Sequence, residues 1–113
     1  MAASNVTQAS EAARRYASAL FELAQDKGEL ASVNTDFKRF ADLAKNSKDL
    51  SILLSSPAFS REQKVGVLAE LASKAGLTPL FGKFLGTMAQ NGRAHDIVDA
   101  HLAFDELYAK QRG

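Results

Sequence analysis

The first candidates for chemistry in this chain are two histidines and the carboxylates, and its 113 residues include no Cys. Without thiols, disulfide cross-links and Cys-ligated zinc or iron–sulfur sites are excluded. His95 and Asp99 are four apart, which puts them on one helix face and makes half of a metal site. Two more ligands would have to come from elsewhere, and the sequence offers no such cluster. His95 and His101 are six apart, point in different directions from a helix and cannot share a metal. Both are expected to be ordinary helix residues, one exposed and one partly buried. The seven glycines are scattered as helix stops and interruptions and make no phosphate-cradling loop. Glu22 with Asp26, and Asp105 with Glu106, read as solvated helix faces. No nucleophile, base and oxyanion donor converge, so neither catalysis nor a cofactor or metal is expected.

Charge narrows the partners. Lys plus Arg is 14 and Asp plus Glu is 13, a net charge of +1. Non-specific nucleic-acid binding needs a basic surface that displaces counterions, and this balance supplies none. Arg14-Arg15 is the only adjacent Arg pair. It could meet a phosphate or an acidic partner, but such a pair more often just solvates a helix. The longest charge-free stretch beyond the N-terminal segment, Leu50 to Ser60, is about half the ~20 apolar residues a spanning helix needs. The opening MAASNVTQAS lacks the basic start and apolar core of a signal peptide. Residues 1–9 are expected to form a flexible tail, in a cytoplasmic-type compartment where the sequon Asn5-Val6-Thr7 is a chance match.

Positioning falls to helices. Ala occurs 20 times and Leu 14 times, against 11 for Val, Ile and Thr together. Unbranched side chains keep their rotamer freedom in a helix and β-branched ones do not. The fold class is therefore all-α, a compact bundle of about six antiparallel helices within residues 10–113. The first is expected over Ser10–Lys27, stopped by Gly28. The second, Glu29–Lys45, aligns Leu30, Val33, Phe37, Phe40 and Ala44 on one face. The third, Lys48–Ser55, is capped by Ser47, turns Leu50, Leu53 and Leu54 inward and ends before Pro57. Ser60 to Gln63 form a capping box that opens the fourth, which Gly76 closes. Its inward residues should be Lys64 by its stem, Leu68, Leu71, Ala72 and Ala75. Thr78 caps the fifth helix and Pro79 fills its first turn. Phe81, Phe84, Leu85 and Met88 form its main stripe, and Asn91-Gly92 end it. The sixth runs from about Arg93 to Gln111, using Ile97, Val98, His101 or Leu102, Phe104, Leu107 and Tyr108. Connections of two to five residues favour antiparallel chain neighbours.

Two helices carry more apolar surface than a single core-facing stripe of about 100° needs. On the first, Ala13, Ala17, Leu20, Phe21 and Ala24 form a stripe that Ala12, Tyr16, Ala19 and Leu23 widen. The fifth adds Leu80, Gly86, Thr87 and Ala89 to its core stripe, with Lys83 its only charge. Small residues such as Ala19 and Gly86 let another backbone approach. Side by side, the two would present an apolar groove fit for an amphipathic helix. The alternative is a helix buried on most sides at the centre of the bundle.

The segment Ala13 to Phe21, ARRYASALF, resembles the ARxYAxALF signature of the δ subunit of bacterial F-type ATP synthases, the family of the mitochondrial oligomycin-sensitivity-conferring protein. LGTMAQNGR at Leu85 to Arg93, LLSSP at Leu53 to Pro57 with Lys64 after it, and FDELY at Phe104 to Tyr108 match in family order and spacing. The resemblance implies a six-helix N-terminal domain that binds the N-terminal helical segment of an α subunit across helices one and five. It places Tyr16, Ala19, Lys83 and Thr87 at that interface. Ala12, Leu20, Leu23 and Leu80 either join them or face the core. It further implies a non-catalytic stator component, peripheral on the cytoplasmic face of the plasma membrane (the matrix side if mitochondrial). Family members continue into a C-terminal domain that contacts the peripheral-stalk b subunit. A chain ending at Gly113 would lack that domain, would hold the head without completing the stator, and is expected to be monomeric. The competing expectation is a generic helical adaptor for some other amphipathic helix.

Overall fold

A computed structural model describes residues 9–112. Among them are six α-helices and no strand: α1 (Glu11–Lys27), α2 (Leu30–Asn46), α3 (Lys48–Ser55), α4 (Arg61–Ala75), α5 (Pro79–Gln90) and α6 (Ile97–Arg112). The expected tail and sequon lie outside the described residues, apart from Ala9, which is half-buried against the core. Helix ends follow local chemistry. Ser10, Ser47, Ser60 and Thr78 each accept a backbone N–H of the first turn they cap, and Ser60 and Gln63 close a reciprocal capping box. Gly28 and Gly76 end α1 and α4 at φ 69° and 67°, a left-handed conformation that costs a side-chain-bearing residue energy.

The short loops act as expected between α4 and α5. Arg61 Nη1 reaches the Gln90 carbonyl at 3.4 Å. A Cβ built on Gly82 would lie 3.4 Å from that of Ala72. The start of one helix thus meets the end of the other, an antiparallel pair in close contact. α1 and α6 come from opposite ends of the chain and run in the same direction. Ser10 Oγ donates to Asp96 Oδ1 at 3.3 Å at one level, and the rings of Phe21 and Phe104 meet at 5.6 Å further along.

The core is organised around Phe37 of α2. Its buried ring lies 4.8 Å from Phe81, 5.5 Å from Phe84 and 5.5 Å from Phe104, joining α2 to α5 and α6. Tilted and edge-on pairs at these separations add to the burial of apolar area.

Two expectations need correction, and a third is refined. α6 does not begin at Arg93: a 3-10 turn at Ala94–Asp96 precedes it. Three residues per turn stack Arg93 over Asp96, and the two pair at 3.6 Å. The inner face of α6 is Ile97, Ala100, Ala103 and Phe104, whereas Val98 is 40 % exposed. Alanines let α6 pack closely, and a search for large apolar residues passes over them. On α4 only Leu68 is fully buried, because α4 packs chiefly on α5 as an outer helix. Leu71, Ala72 and Ala75 are half-buried. Lys64 keeps the predicted stem-in arrangement, with Nζ donating to the Leu54 carbonyl at 3.3 Å.

His101 is half-buried and His95 exposed, as expected. The His101 ring lies 5.2 Å from Phe37, and its buried Nε2 has no hydrogen-bond partner. Burial lowers its pKa from the ordinary 6.5, and Lys38 adds to the fall, while Asp105 and Asp42 oppose it. The unfolded chain therefore takes up a proton at this site before the native state does. Stability should be insensitive to the group well above pH 6.5, fall as pH drops below that value, and level off below the depressed native pKa. Urea melts across that range will show the loss, and His101→Gln should flatten it. Phe37→Ala should cost about 3–5 kcal/mol in the same melts at neutral pH.

Candidate functional site

An open groove of about 670 Å3 runs between α1 and α5. Tyr16, Ala19, Leu20, Leu23 and Lys27 form one side, Pro79, Leu80, Lys83, Phe84 and Thr87 the other, and Glu29 joins at the Lys27 end. The two helices are antiparallel across it. Tyr16, near the start of α1, bonds to Asn91 at the end of α5, and Lys27 and Glu29 share the far end with Pro79. From Tyr16 to Lys27 α1 rises about 16 Å, room for roughly three turns of a docked helix.

Leu20 and Phe84 make the floor. Both are core residues, Leu20 only 2 % exposed, and Phe84 continues inward to the Phe37 ring. Leu23 stands 49 % exposed on the wall. Ala19, Lys83 and Thr87 are also exposed. Large side chains lie below, and the short Ala19 and Thr87 leave the walls low, so that none of the described elements fills the trough. Seven of the eight residues singled out from the sequence line it. Ala12 does not and sits half-buried beyond it. Ala89, counted in the sequence among the outward residues of α5, is buried at 1 %. It follows Met88 around the helix onto the inner face. Gly86 is not among the lining residues, and a Cβ built there would find nothing within 4 Å.

Sequence reasoning missed two ties that hold the walls in place. Asp36 is a carboxylate on the buried face of α2, between Val33 and Phe37. Its Oδ2 accepts the N–H of Thr78, the cap of α5, at 2.7 Å. Arg39, 3.8 Å from Asp36 Oδ1, donates to the Ala75 carbonyl at 2.7 Å. The α4–α5 turn is thereby tied to α2 just where Pro79 and Leu80 enter the groove. The available signal was an acidic residue inside an apolar stripe, three before an Arg. The second is made by Asn91, whose Nδ2 donates to Tyr16 Oη at 2.7 Å and joins the groove's other end.

A second depression of about 600 Å3 lies between α2, α3 and α6, lined by Ala44, Ser51, Leu54, Val98, His101 and Leu102 among others. It was not anticipated from sequence. Its apolar rim follows from Val98 and Leu102 facing outward.

These features define a class: an all-helical bundle with an apolar furrow of helix length between two antiparallel helices. Among the described residues no helix is long and apolar enough to cross a membrane, and no group of three His, Cys, Asp or Glu is placed to hold a metal. The chain belongs to the family described as ATP synthase delta (OSCP) subunit, whose sequence pattern matches residues 12–113. It is 68 % identical to ATP synthase subunit delta of Hyphomonas neptunium over 94 % of this chain and 59 % of that protein. It is 48 % identical to the subunit delta of Caulobacter vibrioides over 95 % of this chain and 58 % of that protein. A chain in the cryo-EM structure of the Toxoplasma gondii mitochondrial ATP synthase hexamer superimposes with a TM-score of 0.77 at 35 % identity, over 82 % of this chain and 52 % of that one. This chain therefore spans less than two thirds of the length of these relatives. The resemblance read from ARRYASALF and LGTMAQNGR is borne out.

The Asp36 tie has a measurable consequence. Asp36→Ala leaves the Thr78 N–H without its partner in a part-buried turn, which should destabilise the fold by about 1–3 kcal/mol. Amide exchange should quicken most at Thr78 and the first turn of α5.

Proposed function

We propose that this chain is a non-catalytic, helix-gripping part of the ATP synthase stator. Its groove between α1 and α5 takes the N-terminal helical segment of an α subunit on the catalytic head. In the full-length subunit, a further domain would contact the peripheral-stalk b subunit. The subunit then ties head to stalk, and rotation is coupled to ATP synthesis. By this reading the protein sits peripherally at the cytoplasmic face of the membrane through its complex.

Family membership supports the assignment to the synthase, and the groove supports the mode of binding. The observation that carries it is coincidence: Tyr16, Ala19, Lys83 and Thr87, singled out by the family resemblance, line one apolar trough. A helix laying apolar side chains over the Leu20 and Phe84 floor would remove Leu23, Leu80 and its own apolar face from water at about 25 cal/mol per Å2. Lys83 stands exposed on the α5 wall. It suits an acidic flank on the docked helix and would matter more for orientation than for affinity.

Calorimetry with a synthetic peptide of the α-subunit N-terminal segment tests this. Ala19→Asp and Thr87→Asp each put a charge on a wall that is solvent-exposed in the free chain, so the fold should survive. Each should weaken binding roughly tenfold or more, about 1.4 kcal/mol. Ser51→Asp, in the other depression, should leave it unchanged. No binding, or no loss from either groove substitution, contradicts the reading. Equal binding of unrelated amphipathic peptides would favour a generic adaptor.

A further inference from the structure

Tyr16 differs from the other groove residues in having its polar atom already engaged from one side. Its Oη accepts from Asn91 Nδ2 at 2.7 Å. Asn91 does not line the groove. It closes α5 at φ −86° and ψ 7°, with its backbone N–H on the Thr87 carbonyl. A phenol has one proton to donate and lone pairs to accept with. An amide N–H on one lone pair requires the phenolic proton to point away from Asn91. Asn91 is the hydroxyl's one hydrogen-bond partner among the described residues, and none of them accepts this proton.

We propose that Asn91 is a positioning residue that fixes the Tyr16 hydroxyl as a hydrogen-bond donor to the segment docked in the groove. The inference rests on the helix-docking reading above and adds a chemical requirement to it. The docked segment presents an oxygen acceptor, a carboxylate or a free carbonyl, at the Tyr16 end. Elsewhere the groove's floor is apolar and would accept many apolar helices. At this end, a segment without an acceptor would strip water from the hydroxyl and return nothing, which discriminates against it. Interior carbonyls of a helix are already bonded, so the acceptor is a side chain or a carbonyl of the last turn.

The test uses the 113-residue chain and the same α-subunit peptide. Tyr16→Phe removes the donor and should weaken binding roughly three- to tenfold. Asn91→Asp keeps the side chain's shape and its bond to Tyr16 but reverses the bond's direction, because a carboxylate only accepts and draws the phenolic proton to itself. Its loss should match that of Tyr16→Phe. The two combined should lose no more than either alone, since Asn91 acts only through the hydroxyl. Additive losses would mean that the new charge, or a disturbed end of α5, acts by itself, and would overturn the proposal. Unchanged binding with Asn91→Asp would overturn it too, while leaving the docking reading intact. Failure of the unsubstituted chain to bind the peptide overturns both. Raising salt identifies the acceptor: the Tyr16→Phe loss shrinks for a carboxylate and holds for a carbonyl, and either result supports the proposal.

Discussion

The groove exists because its floor is fixed from beneath. Phe84 and Leu20 belong to the core and to the trough at once. Phe84 rests on Phe37, which also meets Phe81 and Phe104. A close-packed aromatic cluster does not compress to let α1 and α5 close over it. Above that floor, Ala19 and Thr87 are too short to bridge the gap. The interior therefore sets the width of a surface feature, and a core substitution at Phe37, which does not line the groove, would alter the site without touching a partner.

Polar ties complete the frame at both ends. Asp36 and Arg39 tie the start of α5 to α2, and Asn91 with Tyr16 ties its end to α1. The latter tie lies between the two longest sequence matches to the family, ARRYASALF and LGTMAQNGR. Gly92, at φ 75°, has the Arg61 guanidinium 2.7 Å from where a Cβ would stand. The Asn-Gly-Arg run thus has a residue-by-residue physical reading: Asn91 holds Tyr16, Gly92 makes room for Arg61, and Arg93 pairs with Asp96.

Helix identity and most boundaries were legible in the sequence because they rest on local signals. Ser47, Ser60, Thr78-Pro79, Gly28 and Gly76 act within one turn of themselves. The groove was legible as an excess of apolar surface on two helices, and the resemblance narrowed it to residues. What escaped depends on non-local partners. Asp36 looks like an ordinary helix carboxylate until Thr78 arrives from 42 positions away. Ala100 and Ala103 carry no large-apolar signal, yet they let α6 approach and turn Val98 outward. The start of α6 slipped because Asp96 turns inward to Ser10, a contact across 86 positions.

The proposed mechanism requires a partner helix between α1 and α5. Paramagnetic relaxation from a nitroxide on the α-subunit peptide, read on the amide resonances of this chain, tests it most directly. A helix docked in the groove will broaden resonances along Tyr16 to Leu23 and Leu80 to Thr87. Broadening centred instead on Ser51, Val98 and Leu102, in the depression between α2, α3 and α6, would contradict it.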